Sequence, residues 1–147
     1  MEFMKLKDAP LSMRLFLGLF LYILGISYLS LLSGIWIDTK MKIANIAEGY
    51  SLFEISELVE HSFKYLSWFI STFGIVVTLF LLTSWDEKLK RFFAVLIPVL
   101  IILDMGSMWL IRYSSFFSWQ LFVAGFLLAL SFFAMFTLIQ IDLWGKK

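Results

Sequence analysis

The chain contains no cysteine, two prolines and a single histidine, and only 16% of its residues are charged. Without cysteine there can be no disulfide, no thiolate nucleophile and no thiolate metal site. One histidine excludes a bis-histidine haem within the chain, and pairing His61 with Met105 or Met108 as axial ligands is a remote option. The net charge is +1 and no basic stripe is present, which removes nucleic acid from the partners. No nucleotide-binding, nucleophile or metal-ligand motif occurs either. No catalytic residue, cofactor or metal ligand is therefore assigned.

What the sequence has in excess is apolar surface. Hydrophobic residues make up 61% of 147, aromatics 19%, and the mean hydropathy is +0.91. A soluble domain has nowhere to hide that much. Stretches without a charged residue cover 15–37, 65–85, 92–103 and 113–141, and only Asp104 interrupts the third before it continues to residue 111. A helix rises about 1.5 Å per residue, so about 20 apolar residues cross a hydrocarbon core of about 30 Å. The expectation is an all-α membrane protein, a four-transmembrane-helix bundle forming one domain over 1–147, with spans at about 14–36, 64–85, 92–111 and 116–140. Lys5, Lys7 and Arg14 ahead of the first run look like the start of a signal peptide. That run is too long for one and lacks a small-residue cleavage site, so it is read as a retained helix.

Lys and Arg concentrate on the cytoplasmic side of membrane proteins. Eight of the twelve lie in the N-terminal arm, the second loop (Lys88, Lys90, Arg91) and the tail (Lys146, Lys147); the other face has Lys40, Lys42, Lys64 and Arg112. Both termini are thus expected to be cytoplasmic, in an inner membrane, with the first connection, about 38–63, outside. Within it, Ser51-Leu52-Phe53-Glu54 has the capping-box pattern, and Leu52, Ile55, Leu58, Val59, Phe63 and Leu66 recur at helical spacing. This predicts a short amphipathic extracytoplasmic helix leading into the second span. The two later loops are short, so the last three spans should form consecutive antiparallel neighbours.

Helices in lipid pack through small residues. The second span carries Ser67, Ser71, Gly74 and Thr78 on one stripe, the fourth has Gly125 and Ala129, and the first has Ser30 with Gly34 and Gly18 with Gly25. Packing within the chain is the expectation; a seam between copies is the alternative. Trp36, Trp68, Trp85, Trp109 and Trp144 fall near the predicted ends and are read as an interfacial belt. Pro98 predicts a kink in the third span.

A carboxylate within a span costs about 2.5–3.5 kcal/mol on insertion scales, which singles out Asp104. Arg112 lies eight residues on, roughly 12 Å along the axis, and Glu57 and His61 stand four apart at the same membrane level. Glu57, His61, Asp104 and Arg112 are candidates for one polar pocket open to the outside. The plainer alternative carries more weight: Asp104 bonds Ser107 or another helix, Arg112 snorkels, and His61 is interfacial. The favoured function is a non-catalytic accessory or assembly subunit of a larger membrane complex, touching the lipid bilayer and other membrane subunits. A small oligomeric transporter or channel using Asp104 and Arg112 comes next, with a homo-oligomer as its working unit. A quinone- or haem-associated redox subunit comes third.

Overall fold

The computed structural model describes residues 5–145. A short 3-10 turn at Leu6–Asp8 precedes α1 (Leu11–Thr39), α2 (Ile43–Ser51), α3 (Ile55–Leu81), α4 (Glu87–Leu110) and α5 (Phe116–Trp144), with no strand among the described residues. α1, α3, α4 and α5 are each long and apolar enough to cross a membrane. The fold is an all-α bundle of four transmembrane helices, with the short amphipathic α2 ahead of the second span. Lys146 and Lys147 of the charge count lie outside the described residues.

α1 starts directly after Pro10, whose fixed φ suits a helix entrance and whose carbonyl accepts the Arg14 N–H at 3.0 Å. It ends in a left-handed residue, Lys40 at φ 49°, followed by Met41 at φ 54°. Thr39 holds this corner. Its hydroxyl donates to the Ile35 carbonyl at 2.7 Å and accepts the Met41 N–H at 3.2 Å, while Asn45 donates to the Thr39 carbonyl at 2.9 Å. The chain is thereby folded back and α2 lies across the end of the bundle, packed on α1 and α5.

The start of α3 corrects the expected capping box. Ser51 is the last residue of α2, where it donates to the Glu48 carbonyl at 3.0 Å, and so it does not stand at the start of α3. The box forms three residues later, with the Glu54 carboxylate accepting the Glu57 N–H and the Glu57 carboxylate accepting the Glu54 N–H at 2.8 Å. The expected amphipathic helix is therefore the first turns of α3, and α2 is a separate element ahead of it that the pattern did not include. The apolar stripe Leu52, Ile55, Val59 and Phe63 faces outward, and Leu58 alone of this segment is fully buried. At its far end α3 stops at Leu81 rather than residue 85, because the Leu82 carbonyl accepts the Leu6 N–H at 3.1 Å and Ser84 turns to Asp142.

α5 is the central helix and packs against every other one. Tyr28 of α1 forms the hub of the core, stacked on Phe132 at 4.3 Å and Trp68 at 5.4 Å and edge-on to Phe73 at 6.0 Å. Beyond it toward the other end of the bundle the core is built of Val76, Phe80, Ile97, Met135, Ile139 and Leu143, with Thr83 and Asp142 buried beside its far edge. Such interdigitated contacts, not water exclusion, hold helices together in lipid.

Only some of the small-residue stripes seat a neighbour. A Cβ at Gly18 would lie 3.2 Å from the Trp144 ring and one at Gly25 3.4 Å from Phe136, so these two glycines let α1 approach α5. Gln140 adds a bond to the Gly18 carbonyl at 3.1 Å. Ser30 and Gly34 are exposed, and nothing lies within 4 Å of a Cβ at Gly34. The expectation for α3 is also corrected: Ser67, Ser71, Gly74 and Thr78 all face out of the bundle. Ser71 and Thr78 satisfy their hydroxyls on their own helix, at the carbonyls of Ser67 (2.8 Å) and Gly74 (2.7 Å). The opposite face of α3 carries Phe69, Phe73, Val76 and Phe80, and that bulk makes the interhelical contact instead.

The belt reading of the tryptophans is likewise modified. Trp68 is part of the core, and the indoles of Trp85 and Trp109 donate to the Leu138 carbonyl at 2.9 Å and to Ser62 Oγ at 2.7 Å. Pro98 sits on an exposed face of α4, which continues as one helix on both sides. At the end opposite α2, the Arg14 guanidinium donates to the Leu143 carbonyl and lies 5.5 Å from the Trp144 ring. There Ser84 gives both its N–H, at 3.1 Å, and its hydroxyl to Asp142.

Candidate functional site

Between the α2 roof and the aromatic hub lies a cavity of about 700 Å³. α1 contributes Tyr28, Trp36 and Asp38, α2 Asn45 and Tyr50, α3 His61 and Tyr65, α4 Asp104, Met105 and Met108, and α5 Phe122, Gly125 and Ala129. Its size is that of a site for a small organic molecule.

Asp104 reaches the cavity because of helical period. Phe93, Ile97, Leu100, Asp104, Ser107 and Met108 recur at spacings of three and four, and all are buried, so the carboxyl group rides on the core stripe of α4. It is 8% exposed, and no described residue gives it a hydrogen bond. The local partner expected for it is engaged elsewhere: Ser107 Oγ donates to the Leu103 carbonyl at 2.6 Å. Gly125 on α5 faces it, with Asp104 Oδ1 3.6 Å from where a Cβ would be. The small pair Gly125 and Ala129 thus serves as cavity wall, both half-buried.

Tyrosines surround this carboxyl. The phenols of Tyr28, Tyr50 and Tyr65 line the cavity and make no hydrogen bond to a described residue. Tyr50 sits on α2, outside the spans; burial pushes its phenol above the ordinary tyrosine range, and Tyr65 and Asp104 push in the same direction. Rings continue along the rim from Tyr50 to Phe53 at 5.4 Å, Phe53 to His61 at 4.8 Å and His61 to Tyr65 at 5.7 Å.

Of the four polar candidates, the cavity gathers His61 and Asp104 and leaves out Glu57 and Arg112. Glu57 shares a helix face with His61, but its carboxylate turns back to cap α3 and stays exposed. Arg112 lies beyond the end of α4 and is exposed. The ion pairs among the described residues, Lys64–Glu60 at 2.7 Å and Arg91–Glu87 at 3.6 Å, are on exposed helix faces. No described cluster of three His, Asp or Glu residues has the arrangement of a metal site.

Sequence reasoning overlooked α2 and the tyrosines. The signal for α2 was the spacing Ile43, Ile46, Ala47, Tyr50. For the tyrosines it was the phenol of Tyr28 in the middle of an apolar run, where an OH group needs a reason to be, with Tyr65 at the start of the next.

No curated protein and no solved structure matches the chain. A family of transmembrane helical domains, Aq_1264_TM, matches residues 53–147, which include His61, Asp104 and Gly125 and run through α3, α4 and α5. That stretch is well over half of the sequence, and the protein accordingly belongs to the Aq_1264_TM transmembrane helical domain family.

Proposed function

We propose that the protein is a small non-catalytic membrane protein that holds an amphiphilic molecule drawn from the bilayer in the cavity beneath α2. The observation that carries this is Asp104, a largely buried residue whose carboxyl group receives no hydrogen bond from a described residue and opens onto a cavity walled by aromatic rings. Buried polar groups are nearly always bonded, so an unmet one in a cavity favours a ligand with a polar head. The apolar body of such a molecule would lie against Tyr28, Phe69 and Phe122. A blind pocket is favoured over a conducting path by the block of Val76, Phe80, Ile97, Met135 and Ile139 on the other side of Tyr28, which separates the cavity from the buried Thr83 and Asp142 at the far end. By charge count the cavity end faces outward and both termini face the cytoplasm of an inner membrane.

The test is native mass spectrometry of the protein extracted from its own membranes in mild detergent, followed by solvent extraction. A small molecule should be recovered at about one per chain and be lost in Gly125→Leu, which fills the space facing Asp104. Recovery of bulk lipids alone, in equal amounts from both proteins, would contradict the proposal.

We further propose that this protein serves as an accessory subunit of a larger membrane assembly. The outward-facing small stripe Ser67, Ser71, Gly74 and Thr78 favours this, since such a face permits close approach of another helix. Recovery of stoichiometric membrane subunits with the tagged protein supports that role; isolation of this chain alone counts against it. A quinone or haem is the competing occupant, because His61, Met105 and Met108 line the same cavity. A colourless preparation with full ligand occupancy excludes the haem.

A further inference from the structure

Resting on the reading of the cavity as a ligand site, we infer that the molecule it selects is a lipophilic organic cation: an ammonium-type head on an apolar body. The argument is charge complementarity. Among the described residues that line the cavity, the carboxyl groups are Asp104 at depth and Asp38 at the mouth, and no Lys or Arg is present. Lys40, Lys42 and Lys64, the cations next in sequence to the lining residues Thr39, Met41 and Tyr65, are exposed and do not line it, and neither does Arg112. An anionic headgroup would therefore meet two acidic groups and no counter-charge, and a neutral head could hydrogen-bond Asp104 but would leave its charge uncompensated.

A cation matches both features of the wall. It neutralises the carboxyl group, and it lies against the faces of aromatic rings, whose quadrupoles attract positive charge; Tyr28, Tyr50, Tyr65 and Trp36 provide them. The hydroxyls of the three tyrosines make no internal bond, so they are free to accept hydrogen bonds from an N–H head as well. Gly125 leaves the space beside Asp104 Oδ1 open, where a Cβ would come to 3.6 Å.

The experiment uses the full chain in nanodiscs of neutral phospholipid and three isosteric probes, tetraphenylphosphonium, tetraphenylborate and neutral tetraphenylsilane, with empty nanodiscs subtracted. The expected result is saturable binding of the phosphonium at least about tenfold tighter than the neutral probe, with the borate weakest. Asp104→Asn should erase the preference for the cation and leave binding of the neutral probe within about twofold. If all three probes bind alike and Asp104→Asn changes nothing, the cavity is a ligand site without charge selection and the cation assignment is wrong. If no probe binds above empty nanodiscs, and the native protein also yields no extracted molecule, the ligand-site reading falls together with it. A folding check on Asp104→Asn is supplied by its binding of the neutral probe.

Discussion

Replacing Asp104 by leucine should make the ligand-free protein more stable. In the folded chain the residue is largely buried, and among the described residues none gives its carboxyl group a hydrogen bond and no Lys or Arg lines the cavity it faces. An unmet buried polar group costs about 1–3 kcal/mol, and on insertion scales Asp at the centre of a span is about 3 kcal/mol less favourable than Leu. The lower range applies here, because the group faces a cavity and not lipid. Leucine in its place extends into that cavity and meets the Gly125 wall without displacing backbone. For a chain of about this size, 1 kcal/mol moves Tm by about 2–4 °C, so Asp104→Leu should raise Tm by about 2–10 °C. Asp104→Asn, which removes the charge but keeps unmet polar atoms, should fall between the two. The assay is thermal unfolding in detergent, followed by tryptophan fluorescence at equal protein and detergent concentrations. Adding a bound ligand closes the gap or reverses the order, since ligand at a hundred times its Kd contributes about 2.7 kcal/mol to the wild type alone. A lower Tm for both variants would mean that Asp104 holds the bundle together, and the argument for a ligand would collapse.

Tyr28→Ala should cost about 3–5 kcal/mol, because the ring is fully buried between Phe132, Trp68 and Phe73, whereas Tyr28→Phe should unfold within a degree or two of wild type; equal Tm values for the two would show that the stacked hub contributes nothing. Lys40→Gly should stabilise by up to about 1 kcal/mol, since a side chain at φ 49° is strained and glycine is not; a fall in Tm would show that Lys40 has a contact outweighing the strain. The absence of native cysteine makes sidedness directly measurable. In intact cells, Glu48→Cys on α2 should react with an impermeant maleimide, while Asp86→Cys between α3 and α4 should react only after permeabilisation; the reverse pattern inverts the topology.

The four spans were readable because hydropathy over about 20 residues is a bulk property that no single contact can override. The inward position of Asp104 was readable for a similar reason: Leu100 and Met108 at i−4 and i+4 fix the face, whatever packs there. Contacts that depend on a competitor were not readable. Small residues at spacings of three and four on α3 say that a helix can approach closely; they do not say that one does, and Phe69, Phe73 and Phe80 on the other face took the interhelical contact. Glu57 stands on the same face as His61, yet its flexible side chain turns back to a nearby free N–H and never reaches the cavity. Ser51 fits a capping motif, but its hydroxyl bonds backward to Glu48. In each case the pattern names a capability, and the choice among partners is made by geometry that one segment does not contain.

The distribution of strain and bonding in the bundle follows the same division as its polarity. At the apolar end, long-range bonds tie separate elements together: Arg14 to Leu143, Ser84 to Asp142, Leu6 to Leu82 and Trp85 to Leu138. At the cavity end Trp109 ties α4 to Ser62 of α3, while the corner between α1 and α2 is held by local bonds that join Thr39 to Ile35, Met41 and Asn45, with two consecutive side chains in left-handed backbone. Strained backbone persists only where something else depends on it, and local bonding opens at lower free energy than bonding between elements. Since α1 packs mainly on α5 and carries the Lys40–Met41 corner from which α2 hangs, a small rotation there moves the roof without disturbing the base. Trp36 and Met41, both exposed and both lining the cavity, stand beside this corner, so a molecule bound as proposed is expected to enter there, and tethering Met41 to Trp36 through a pair of introduced cysteines should slow its exchange.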